Sequence, residues 1–195
     1  LGFSLRIGID IDSTLHQYWD IFADVAKQRF GIDLPYEGQQ DWVISALKPD
    51  QLQAVISETH SHANVTRAEP YPGAVETVRR WVDQGHWVHI TSHRSNDARD
   101  STVEWLTQIG LPFDDLHCSF DKVPRCVELD VELLIDDSPV NMVRALEHGI
   151  KVATLIHPWN QDIIETEDVV AAEDWDGLAA ALEPLLGSSG QKTPV

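Results

Sequence analysis

Two carboxylates, Asp10 and Asp12, stand two positions apart at the end of a short apolar run in IGIDIDST (residues 7–14). If that run is a buried strand, both acids emerge at its carboxyl end, where open α/β sheets hold their ligands. Three later segments carry complementary groups in order. They are HITS with Thr91 and Ser92, FDKV with the lone Lys122, and LLIDDSP with Asp136 and Asp137. A phosphate ester resists hydrolysis because its oxygens repel nucleophiles and its alkoxide leaves poorly, so a catalyst needs a nucleophile, a proton donor and local positive charge. Asp10 is placed to attack phosphorus and form an aspartyl-phosphate. Asp12 is placed to protonate the leaving oxygen and then to accept a proton from the attacking water. Thr91 and Ser92, with main-chain N–H groups at the next helix entry, can hold phosphate oxygens. Lys122 either sits in solvent or neutralises Asp10 and the transferring phosphoryl group. Arg94 is a candidate for a second phosphate contact or for substrate discrimination.

The adjacent Asp136 and Asp137 repel each other and so call for a cation, although one of them could instead cap a helix beginning at Pro139. Four acids at neighbouring strand ends make an oxygen-rich site suited to Mg²⁺, with Asp10, Asp12, Asp136 and Asp137 as its candidate ligands. The histidines, including the pair at 60 and 62, lack zinc spacing and read as surface residues.

The 195 residues carry a formal net charge of -18. Such a charge repels nucleic-acid polymers and anionic membranes, and it disfavours a small phosphate ester as well, so the expected partner, a small phosphorylated metabolite, needs a metal ion and locally placed Lys or Arg to bring it in. Cys118 and Cys126 form no disulfide framework and read as reduced thiols, which together with the lack of a signal peptide or of an apolar run of about 18 residues gives a cytoplasmic expectation. The oligomeric state stays open. The chain starts at Leu1, which reads as a trimmed or alternatively initiated end, and GSSGQKTPV reads as a disordered tail covering 188–195.

Alternating strand and helix patterns give an α/β fold with a parallel sheet covered on both faces. Strands are expected over 5–11, 87–91, 116–119, 133–135 and 151–155, and helices over 74–84, 96–108, 139–147 and 175–186. Gly85, Gly110 and Gly149 punctuate the helix ends. Residues 16–70 break the rhythm with helical patterns over 19–30 and 49–60 and read as an inserted helical cap, rich in aromatic residues such as Tyr18 and Trp42. The expected organisation is a core of 1–15 and 71–187 with a cap of 16–70.

The four segments resemble, in order, the four motifs of the haloacid dehalogenase (HAD) superfamily of aspartate-nucleophile phosphatases. That resemblance implies a Rossmann-like core with a parallel five-stranded sheet in order 54123, Mg²⁺ dependence, and the roles given above to Asp10 and Asp12. PYPGAVETV, ITS, DKV, LLIDD and HPWN (157–160) narrow it to the 5'(3')-deoxyribonucleotidases and their bacterial relatives. By that similarity the metal is held by Asp10, the main-chain carbonyl of Asp12 and Asp137, with Asp136 behind it or sharing the role. Thr91 and Lys122 then contact phosphate, and Tyr18 and Trp42 face the base or sugar. The chain departs from the pattern at Ser13, where glycine is usual, and at Asn64 and Val65, where aromatic residues are usual. The implied activity is release of phosphate from nucleoside monophosphates. The alternatives are a phosphatase for sugar phosphates or other small metabolites and a non-catalytic phosphometabolite sensor.

Overall fold

Apolar runs become strands in the computed structural model, which describes residues 4–186. They are β1 (Arg6–Ile9), β2 (Trp87–Ser92), β3 (Asp115–Cys118), β4 (Leu133–Ile135), β5 (Lys151–Leu155) and β6 (Val169–Ala172). All pair in parallel in the order β3-β2-β1-β4-β5-β6. The connections carry α1 (Tyr18–Phe30), α2 (Pro49–Thr59), α3 (His62–Thr66), α4 (Ala74–Asp83), α5 (Arg99–Gln108), α6 (Val123–Glu128), α7 (Pro139–Glu147), α8 (Gln161–Thr166) and α9 (Trp175–Leu186). The expected five-strand order is present, but the sheet has a sixth strand. β6 escapes the sequence pattern because VVAA is only four residues long, is flanked by acids and is half-buried throughout on the sheet edge, so it has no alternation to detect. The disordered-tail expectation for 188–195 lies outside the described residues.

Burial explains why β1 is central. Ile7, Ile9, Leu133, Leu134, Ile135, Val88 and Ile90 have no more than trace exposure, as expected of parallel strands covered on both faces. Gly8 lets the strands approach, since a Cβ there would meet Leu134 Cδ1 and Val131 Cγ1 at 3.3 Å. On one flank Trp81 of α4 and Trp175 of α9 pack together with ring centroids 5.9 Å apart. α7 starts at Pro139 and is capped by Ser138, whose hydroxyl accepts from the Asn141 N–H at 3.5 Å. Neither Asp136 nor Asp137 is needed as that cap.

The chain leaves β1 through a tight turn in which the Leu15 N–H donates to the Ile11 carbonyl at 2.8 Å. It returns beside the point of departure, where the Tyr71 N–H donates to the Leu15 carbonyl at 2.8 Å. Between these points α1, α2 and their loops build an apolar cluster of Trp19, Phe22, Val25, Ala26, Leu34, Leu47 and Val55, into which Trp159 projects from the segment after β5. α3 leans on α5. No helix among the described residues is long and apolar enough to cross a membrane.

Candidate active site

Register brings the acids together. Ile9 pairs with both Ile90 and Ile135, so the next residue on each strand, Asp10, Thr91 and Asp136, stands at one level across β1, β2 and β4. One carboxylate oxygen from each of Asp10, Asp136 and Asp137 falls within 4.8 Å of the others, and all three residues are buried. Lys122, at the start of α6 and wholly buried, puts its Nζ 2.7 Å from Asp10 Oδ1 and 2.6 Å from Asp136 Oδ2. It is therefore not surface. Burial works against its charge, but Asp10 and Asp136 more than offset this and raise its pKa.

Three buried carboxylates face one lysine, and the excess shows in the titration of Asp10 and Asp137. Burial, reinforced by repulsion from Asp136 and Asp12, pushes Asp10 up to about 7 despite Lys122. Burial and the Asp10 and Asp136 charges raise Asp137 well above the usual carboxylate range. Asp136 is the better compensated, since Oδ1 accepts from the Ser138 N–H at 2.9 Å and the Asn141 amide lies 3.3 Å from both oxygens. Asp137 has Trp159 Nε1–H as a donor at 3.1 Å. Hard oxygen donors with uncompensated charge fit a divalent cation such as Mg²⁺.

Asp12 faces another way. Arg94, itself buried, forks onto it with Nη2 to Oδ1 at 2.6 Å and Nε to Oδ2 at 3.3 Å. His16 Nε2 lies 2.8 Å from Oδ1 and His60 Nε2 lies 3.4 Å from Oδ2. Burial alone would raise this carboxyl, but Arg94 and the two histidines hold it well below the usual value. Its carboxylate is thus apart from the trio that could hold a cation, and the metal role given to it by resemblance rests on its main-chain carbonyl.

Thr91 Oγ1 is buried with no partner among the described residues, as a hydroxyl waiting for a ligand would be. The Ser92 hydroxyl accepts from the Arg94 N–H at 3.2 Å and so helps set the turn that aims Arg94. A cavity of about 310 Å³ lies over the carboxylates, lined by Asp10, Asp12, Tyr18, Trp42, His93 and Trp159 among others. The Tyr18 hydroxyl pairs with Thr59 Oγ1 at 2.8 Å, and Trp42 is 40% exposed. Burial, with Lys122 nearby, lowers His93 to about 4 and keeps it neutral.

Sequence reasoning missed several supports. His16 went unnoticed, His60 reads in sequence as an accidental surface residue but touches Asp12, and Arg94 binds Asp12 directly. The HPWN segment is structural: His157 Nε2–H donates to the Ser13 carbonyl at 2.7 Å, the Tyr36 hydroxyl donates to its Nδ1 at 2.7 Å, and Trp159 stacks on it at 4.6 Å. Burial lowers His157 to about 4, so this neutral tautomer is the resting form. Ser13 has φ 60, the left-handed region that favours glycine, which accounts for the glycine usual at this position.

The family described as "5' nucleotidase, deoxy (Pyrimidine), cytosolic type C protein" matches residues 4–182. The chain belongs to that family. Its fold is that of the HAD superfamily, and it is a hydrolase of phosphoric monoesters. A Chlorobaculum tepidum protein, "Putative 5'(3')-deoxyribonucleotidase", is 27% identical over 194 residues, covering 91% of each chain. A Bacillus cereus "Putative nucleotidase" is 21% identical over 176 residues, covering 82% of this chain and 90% of the relative. Among solved structures, a HAD family hydrolase from Deinococcus radiodurans R1 with bound phosphate and sodium aligns with a TM-score of 0.68 at 16% identity, over 96% of this chain and 99% of the other.

Proposed function

We propose that this nucleotidase-family hydrolase is a Mg²⁺-dependent 5'(3')-(deoxy)ribonucleotidase that works through an aspartyl-phosphate on Asp10. The observation that carries the reading is the buried trio of acids set against Lys122 beneath an aromatic-lined cavity. The family match and the Chlorobaculum relative's name support the nucleotide as substrate.

A bound Mg²⁺, held by Asp10, Asp137 and the Asp12 carbonyl with Asp136 behind them, would neutralise charge on the phosphate oxygens and on Asp10. Lys122 shares that task and orients Asp10, while Thr91 donates its free hydroxyl to a phosphate oxygen. An Asp10 oxygen attacks phosphorus, the bond from phosphorus to the ester oxygen breaks, and the leaving oxygen takes a proton from Asp12. Water then attacks the phosphorus, Asp12 takes its proton, and the Asp10–phosphorus bond breaks to free inorganic phosphate. Asp12 rests ionised, so its proton for the first half has to arrive with the bound ester or through His16 or His60, both of which touch it. Residues 16–70 act as a cap over a core of 1–15 and 71–187, with Tyr18 and Trp42 beside the nucleoside. The test is phosphate release from deoxynucleoside monophosphates against sugar phosphates, with Mg²⁺ and with chelator. Metal-dependent release concentrated on nucleotides supports the reading, and a tenfold preference for sugar phosphates in kcat/KM overturns the substrate class.

A further inference from the structure

Charge in the cavity is one-sided. Among Asp, Glu, Lys and Arg side chains only acids line it, Asp10, Asp12 and Asp137 from the core and Asp41 from the cap, with His60 against Asp12 and His93 as its imidazoles. The cap's basic residues, Lys27, Arg29, Lys48 and Arg67, do not line it. Lys27 is paired with Asp33 and Arg29 with Glu58. The two cations beneath the cavity are already engaged, Lys122 by Asp10 and Asp136 and Arg94 by Asp12. Asp41 is exposed and makes no ion pair among the described residues. Its loop is braced by Gln39, whose Nε2 donates to the Asp41 and Val43 carbonyls at 2.5 and 3.2 Å.

A transferred phosphate finds Lys122 and the cation site, but a second anionic group on the leaving half would meet apolar rings and an unpaired carboxylate. We propose that Asp41 is a specificity-determining residue. It selects against a second negative charge on the leaving group and for one that brings a hydrogen-bond donor or a positive charge. The enzyme then favours monophosphates of neutral or cationic alcohols with an apolar or planar body over bisphosphates and phosphorylated carboxylic acids. This rests on the phosphomonoesterase reading and narrows it. A like charge about 8 Å away at an effective dielectric of about 40 weakens binding roughly fivefold, and salt screens the effect.

The test uses three phenyl phosphates that differ at the para position (methyl, carboxylate, trimethylammonium), with a deoxynucleoside 5'-monophosphate alongside. kcat/KM is measured for the wild type, Asp41→Asn and Asp41→Lys. Dividing each charged ester by the methyl ester in the same enzyme, and then comparing enzymes, cancels intrinsic leaving-group reactivity. The carboxylate ratio should rise about fivefold in Asp41→Asn and further in Asp41→Lys, while the trimethylammonium ratio falls correspondingly. In the wild type, added salt should raise the carboxylate ratio, which tests the idea without any variant. Ratios that stay within about twofold in both variants and with salt overturn the role of Asp41 alone. Absence of hydrolysis of every ester overturns the phosphatase reading and this inference with it.

Discussion

Replacing Lys122 by methionine removes the one cation that touches both Asp10 and Asp136 among the described residues. At 2.7 and 2.6 Å, each contact carries about 6 kcal/mol of Coulomb energy at an effective dielectric of 20, before the desolvation that opposes it. Breaking a buried pair while leaving its partner costs about 3–5 kcal/mol net. The loss depends on pH, and its sign follows from Asp10. A carboxyl held near 7 in the folded protein and at 3.8 in the unfolded chain binds its proton more tightly when folded, so metal-free stability falls as pH rises from about 4 to 7. Without Lys122 that window extends further upward. Urea denaturation followed by circular dichroism, with chelator present, should show a loss of about 3–5 kcal/mol at pH 8 and a clearly smaller one at pH 5. A loss below about 1 kcal/mol at pH 8, or a larger loss at pH 5, would refute the assignment of Lys122 as the counter-charge of the acid trio.

Three further outcomes follow from the same geometry. Arg94→Gln, which releases the fork on Asp12, should lower kcat about 100-fold with little change in KM, because a misplaced proton carrier slows chemistry rather than binding; steady-state kinetics that instead show a raised KM at constant kcat would make Arg94 a substrate contact. Ser13→Gly should stabilise the fold by about 1 kcal/mol by relieving its positive φ, seen as a melting temperature higher by about 2–4 °C, and an unchanged or lower value would show that no strain is stored there. At pH 6, Mg²⁺ binding should release at least about one proton, since burial holds Asp10 near 7 and raises Asp137 as well; calorimetry in two buffers of different ionisation enthalpy reads this, and identical heats would count against Asp10 and Asp137 as ligands.

The convergence of the strand-end residues was legible in sequence because their placement follows a local rule. Asp10, Thr91 and Asp136 each come one residue after an apolar strand position, and a parallel register brings them level without further information. The surrounding supports obey no such rule. Arg94 reaches Asp12 across 82 positions, His60 reaches it from the end of α2, and Trp159 reaches Asp137 from the segment after β5. Lys122 showed the same ambiguity, since nothing in FDKV tells a buried counter-ion from a solvated lysine. β6 was missed for want of length rather than chemistry.

The most direct test of the central claim is phosphate release from a deoxynucleoside monophosphate by the wild type and by Asp10→Asn, each with Mg²⁺ and with chelator. The account predicts release only from the wild type with Mg²⁺, while Asp10→Asn keeps its circular dichroism spectrum and loses turnover by at least about 10³-fold. Turnover by a folded Asp10→Asn within about tenfold of the wild type would remove Asp10 as the nucleophile. Full activity in chelator would do the same for the cation held by Asp10 and Asp137.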